Sequence, residues 1–301
     1  MNILIIGAGA WGKALAAAFS HSDNHITLWK RQQLQQYEPL PPAIDLIVTV
    51  IPSQAMRSLC IILSKLDIPA HVKLLICSKG IERTSLKMMS EVAEELLPGH
   101  PIAVLSGPNF AGEIEKGLPS ATTIACSNQQ IGNDLVKSLG STSFRPYYSA
   151  DIIGAQIGGA VKNVLAIACG ITDGRGLGEN ARAALITRGL TEMGRLCVAK
   201  GGKLETLLGL SGMGDLILTC SSPTSRNMAY GLALGRNELN PGDSGKLTEG
   251  IASTESVVML ARKLGIDMPI CEAVYRILYE NADIDATIKA LLQRPLASEM
   301  L

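Results

Sequence analysis

Lys162 lies in the run Gly158-Gly159-Ala160-Val161-Lys162-Asn163, with apolar neighbours on both sides. Burial disfavours the ammonium form, so a lysine held there has a lowered pKa and can take a proton from an alcohol near neutral pH. Two adjacent glycines inside a helix cost about 1 kcal/mol each against alanine. Close approach of a ligand or of another backbone is the usual reason for such a pair. Histidine is the common alternative base. The four histidines, His21, His25, His71 and His100, all fall in the first half at loop or strand-entry positions, outside any glycine-rich motif. A lysine that only snorkels from an amphipathic helix is the competing reading of Lys162.

Asp215 sits among Ser211-Gly212-Met213-Gly214, just ahead of an apolar run. It is placed to orient Lys162 and tune its charge. Hydroxyl residues around Pro223 then lead through Ser225 into Arg226-Asn227. That pattern reads as a helix start, with caps, free backbone N–H groups and a guanidinium fork suited to the phosphate of a small substrate. A plain N-cap followed by a surface arginine is the competing reading.

The third constellation opens the chain. Gly7-Ala8-Gly9-Ala10-Trp11-Gly12 fits G-x-G-x-x-G directly after a strand and at a helix start. Gly7 permits the tight turn, Gly9 lets a pyrophosphate approach the backbone, and Gly12 lets the helix pack on the strand. An NAD-binding chain of this kind usually carries an acid at the end of the second strand. Here that position reads Trp29-Lys30-Arg31. Arg31, with Trp29 packing beneath it, offers a fork to a 2′-phosphate, so NADP(H) is expected to be preferred and NAD(H) usable. Lys79 follows the fourth strand and Gly107-Pro108-Asn109 the fifth, at the edge where open α/β sheets bind ligands.

These residues need elements to hold them. Short apolar runs at 2–6, 26–29, 46–50, 72–77, 102–105 and 121–125 alternate with helix-like stretches at 12–20, 53–65 and 84–97, which predicts a doubly wound parallel sheet. Beyond about residue 150 the texture becomes helical, over 151–172, 179–200, 224–236, 252–264, 270–281 and 283–293. The expected organisation is an α/β dinucleotide-binding domain over 1–150 and an all-helical substrate-binding and catalytic domain over 151–301.

Composition narrows the partners. Lys+Arg and Asp+Glu are 27 each in 301 residues, so no global field attracts nucleic acid or an anionic membrane. No apolar run is read as a membrane span. The seven cysteines are odd in number and never spaced C-x-x-C, which points to reduced thiols, no structural zinc, no metal site and a cytoplasmic location.

The motifs Gly158–Asn163 (GGAVKN), Asp173–Met193 (DGRGLGENARAALITRGLTEM) and Ser211–Cys220, with Gly7–Gly12, Val50–Ser53, Ser78–Glu82, Leu105–Ala111, Ser225–Asn227 and Glu249-Gly250, resemble bacterial-type NAD(P)-dependent glycerol-3-phosphate dehydrogenase over nearly the whole chain. The resemblance implies a Rossmann-type domain and reversible hydride transfer between NAD(P)H and dihydroxyacetone phosphate, supplying glycerol 3-phosphate for phospholipid synthesis. It implies Lys162 as proton acceptor. It implies substrate contacts at Asp215, Ser225, Arg226, Asn227, Lys79, Gly107 and Asn109, with Lys79 and Arg226 also near the cofactor. Ala10, Trp11, Arg31, Ala111, Leu247 and Glu249 match its cofactor positions. Asn109 departs from the family's commoner threonine but keeps hydrogen-bonding capacity, and residues 31–44 are shorter than usual, which bears on cofactor choice. A homodimer is compatible with the sequence, which fixes no oligomeric state. Two alternatives stay open on the residues alone: another lysine-based dehydrogenase of the hydroxyacid or 6-phosphogluconate type, and a non-catalytic NADP-binding sensor.

Overall fold

The computed structural model describes residues 1–20, 23–30, 33, 40–239 and 249–295. The chain forms two compact units, Met1–Gln156 and Ile157–Leu301.

The first unit is built on strands β1 (Asn2–Ile6), β2 (His25–Trp29), β3 (Leu46–Thr49), β4 (Lys73–Ile76), β5 (Ile102–Ser106), β6 (Ser120–Cys126) and β7 (Phe144–Ser149), ordered β2-β1-β3-β4-β5-β6-β7. Neighbours are parallel except for β5 and β6, which are antiparallel. The sheet is the expected doubly wound parallel one apart from that single antiparallel pair. Helices α1 (Ala10–Phe19), α2 (Met56–Leu63), α3 (Met89–Leu96), α4 (Ala111–Glu115) and α5 (Gln129–Leu139) connect the strands. Central strands such as Leu46–Thr49 are buried on both faces, because one core packs on each side of the sheet. β7 escaped the sequence reading. It holds Pro146 and two tyrosines, and it lies at the sheet edge, where proline is tolerated.

The second unit is helical. α6 (Ile152–Gly174) starts in the first unit and runs into the second. It is followed by α7 (Glu179–Ala199), α8 (Leu204–Leu207), α9 (Asp215–Ser221), α10 (Arg226–Gly235), α11 (Glu249–Leu264), α12 (Pro269–Tyr279) and α13 (Ile284–Leu292). A π-helical turn, Leu210–Gly214, leads into α9. α6 is long and apolar enough to cross a membrane by composition, with a mean hydropathy of 1.5, which corrects the reading that no run qualifies. Within the protein 89% of that window is buried, as befits a core helix.

Glycines let α6 and α10 touch backbone to backbone. A Cβ at Gly170 would lie 2.1 Å from Met228 O, and one at Gly231 would lie 2.1 Å from Ile167 O. Gly174 and Gly235 meet each other in the same way one turn on. Two Gly-x-x-x-Gly faces thus fix the register of these helices.

α12 has no side-chain cap of its own, and its first residue is Pro269. Glu192 of α7 caps it from a distance, accepting from Ile270 N at 2.6 Å and Cys271 N at 3.1 Å. Burial pushes the Glu192 carboxyl up to about 7, against the two amides that hold it down. The folded pKa thus exceeds the ordinary 4.5, so the native state keeps a proton that the unfolded chain has lost. Native stability should decline as pH rises from about 4.5 to about 7 and then level off. The Tm of Glu192→Gln, which cannot titrate, should gain on wild type across that interval. A Tm difference that stays constant from about pH 5 to about pH 7.5 would contradict this.

Candidate active site

Lys162 lies on α6, is 8% exposed, and has apolar neighbours buried around it. Its ammonium donates to Asp215 Oδ1 at 2.5 Å and to Thr219 Oγ1 at 3.0 Å. Asp215 is 1% exposed. Thr219 donates its own proton to Asp215 O at 2.6 Å, which leaves an oxygen lone pair turned to the lysine. The pairing expected of Lys162 and Asp215 is therefore direct. Thr219 was not singled out from the sequence. The signal was there in the spacing Asp215-x-x-x-Thr219, which places both side chains on one face of a helix.

Gly158, the first of the glycine pair before Lys162, has its reason in backbone contact. A Cβ at Gly158 would meet Ser211 O at 2.1 Å, so α6 presses onto the turn that delivers Asp215. Glycines at 209, 212 and 214 hide the secondary structure of this region, which reads in the sequence only as an aspartate among glycines ahead of an apolar run. It is the π-turn and α9.

Ser225 caps α10, its hydroxyl accepting from Met228 N at 3.3 Å. Arg226 is the first residue of the helix and is exposed, whereas Asn227 is buried. Asn227 Nδ2 donates to Asn163 Oδ1 at 2.9 Å, and Asn227 Oδ1 accepts from Gly250 N at 3.0 Å. The residue beside the lysine is thereby tied to the start of the arginine helix. Glu249 is the first residue of α11.

In the first unit, Gly7 has φ +123° and no room for a Cβ, which would lie 2.0 Å from Val50 O. A Cβ at Gly12 would lie 1.8 Å from Gly7 O, which is the close helix–strand packing the motif demands. A Cβ at Gly9 would meet nothing within 4 Å. Gly9 is also the N-cap of α1 and supplies no side-chain cap, so the first N–H groups of the helix, which begins at Ala10 and Trp11, donate no hydrogen bond to a cap side chain. That cradle fits a dinucleotide pyrophosphate. Lys79 Nζ donates to Gly107 O at 3.2 Å, bringing those two predicted residues together. Asn109 Nδ2 donates to Ala121 O at 3.1 Å, and its buried Oδ1 has no partner among the described residues. Ala111 opens α4.

Trp29 is 5% exposed and belongs to the core. Arg31 and Leu247 lie outside the described residues, as does most of the short 31–44 segment. His25, His71 and His100 precede or begin strands β2, β4 and β5, at the edge opposite Lys79 and Gly107. His21 lies outside the described residues.

Models of the N-terminal and C-terminal domains of NAD-dependent glycerol-3-phosphate dehydrogenase match residues 2–42 with 40–132, and 151–289. The chain belongs to the NAD-dependent glycerol-3-phosphate dehydrogenase family. Members that use either dinucleotide, named glycerol-3-phosphate dehydrogenase [NAD(P)+], include those of Maricaulis maris, 47% identical over 99% of this chain and 98% of that one, and Caulobacter vibrioides, 47% identical over 98% of each. The crystal structure of the family's enzyme from Coxiella burnetii superposes with a TM-score of 0.89 at 38% identity, covering 97% of this chain and 99% of that one. D-mandelate dehydrogenase, at 16% identity and a TM-score of 0.63, shares the fold only.

Proposed function

We propose that the chain reduces dihydroxyacetone phosphate to sn-glycerol 3-phosphate with NAD(P)H, and runs the reverse reaction, with Lys162 as the group that gives and takes the proton. The buried Lys162–Asp215 ion pair carries this reading. When bound, the dihydronicotinamide supplies hydride to C2 of the ketone. Lys162 donates a proton to the oxygen at C2, and in oxidation it accepts that proton back. Asp215 and Thr219 hold the ammonium in place. Arg226, Ser225 and Asn227 take the phosphate at the start of α10. Lys79, Gly107 and Asn109 are further substrate contacts, Lys79 being shared with the cofactor.

Gly7, Gly9, Ala10, Trp11 and Gly12 would hold the cofactor, with Ala111, Arg226, Leu247 and Glu249 as further contacts. The same reading places the chain in the cytoplasm, where its seven buried cysteines stay thiols and its product serves phospholipid synthesis. A homodimer is compatible with it. A substrate screen tests the reading. Dihydroxyacetone phosphate should be reduced, while 3-oxo acids are left almost untouched. The opposite preference would favour a hydroxyacid dehydrogenase, and no turnover of any substrate would favour a binding protein.

Cofactor choice is a separate prediction. β2 ends at Trp29 beside Gly7, whose N–H donates to Trp29 O at 3.0 Å, and the strand end reads Trp29-Lys30-Arg31, with no acidic residue among those three to repel a 2′-phosphate. NADPH should exceed NADH in kcat/KM by about tenfold, the worth of one charge-assisted contact from Arg31. Arg31→Ala should narrow the ratio, mainly by raising KM for NADPH. Equal use of both cofactors by wild type, unchanged in the variant, would remove Arg31 from the site.

A further inference from the structure

Asn163 stands next to the proposed base in sequence, yet its side chain is turned to another helix. Its Oδ1 accepts from Asn227 Nδ2 at 2.9 Å, and its Nδ2 donates to Gly159 O at 3.3 Å. Both asparagines are buried, at 4% and 8% exposure. The Asn227 amide has one orientation, because its Oδ1 accepts from Gly250 N. A Cβ at Gly250 would come within 2.5 Å of that oxygen and 2.9 Å of Asn163 O, so α11 leaves no slack. With Oδ1 committed to Gly250 and one N–H to Asn163, Asn227 keeps a single N–H for a ligand.

We propose that Asn163 is a positioning residue for the phosphate end of the site: it aims the remaining Asn227 N–H and fixes the start of α10 against Lys162. The proposal rests on the reading that Lys162 is the base and the start of α10 holds the phosphate. The reciprocal glycine contacts of α6 and α10 fix the register of the two helices, which leaves the aim of the Asn227 amide to its two hydrogen bonds, with Asn163 Oδ1 and with Gly250 N. Removing Asn163 Oδ1 leaves a buried donor unpaired and the amide held only at its Oδ1, and such a loss typically costs about tenfold or more in binding.

A double-mutant cycle tests this, with KM for dihydroxyacetone phosphate as its readout. Asn163→Ala should raise that KM about tenfold, with kcat and KM for NADPH each changed less than about threefold. In an Asn227→Ala background, the same substitution should change the KM for dihydroxyacetone phosphate less than about twofold, because Asn163 acts only through Asn227. Asn163→Ser, which keeps an acceptor oxygen, should lie between wild type and Asn163→Ala, and it serves in the cycle if the alanine variant fails to fold. Additive effects would overturn the proposal, since they would make Asn163 a direct contact of the substrate. So would an unchanged KM, or a loss confined to kcat. Wild-type enzyme that does not reduce dihydroxyacetone phosphate would condemn the functional reading itself, and an active wild type with an additive cycle would condemn only the role of Asn163.

Discussion

Lys162→Met is expected to lower kcat by about 10²–10⁴ while the cofactor still binds. Methionine keeps much of the side chain's volume and cannot carry a proton. Two of the groups on the lysine are the Asp215 carboxylate, which is its ion-pair partner, and the Thr219 hydroxyl, whose own proton is committed to Asp215 O. The variant also strands a carboxylate that is 1% exposed. Breaking a buried ion pair on one side typically destabilises by about 3–5 kcal/mol, so lower thermal stability is part of the expected result. Adding Asp215→Asn neutralises the stranded group and should restore most of the stability while activity stays low. That separation tells lost chemistry from lost fold. A Lys162→Met enzyme that keeps more than about a third of wild-type kcat would show that another group moves the proton.

Arg226→Ala is expected to raise KM for dihydroxyacetone phosphate by about tenfold to a hundredfold, the equivalent of one charge-assisted contact of 1.5–3 kcal/mol. Part of the loss should fall on kcat, because binding energy at the phosphate also positions the reacting carbonyl. Arg226 is exposed at the first position of α10, and Ser225 supplies the cap, so stability should change little. Unphosphorylated dihydroxyacetone is the control. Wild type and variant should turn it over almost equally poorly. A variant that still discriminates between the two substrates as strongly as wild type would remove Arg226 from the phosphate site.

The chemistry was more legible in the sequence than the local structure that delivers it. Lys162 showed through its apolar run and the glycine pair, and the structure gives the first of that pair, Gly158, a cause in the Ser211 backbone. Asp215 showed through its glycine neighbours. Thr219 did not, because the glycines that identify Asp215 also hide the helix α9, and without the helix the i,i+4 relation is invisible. In the sheet, the buried parallel strands declared themselves as continuous apolar runs. β7 did not, since an edge strand with one solvated face needs neither that run nor freedom from proline. The reversed direction of β6 left no mark, because a strand buried on both faces reads alike either way. Glu192 is a partner of a distant helix start, and nothing local announces such a cap.

The most direct measurement is isotopic. Purified enzyme is given dihydroxyacetone phosphate with NADPH deuterated at the transferable C4 position, and the product is analysed by mass spectrometry and NMR. One deuterium at C2 of sn-glycerol 3-phosphate, with none elsewhere, is the predicted result. Product without deuterium at C2, or no product while the protein is folded and binds NADPH, would contradict the account.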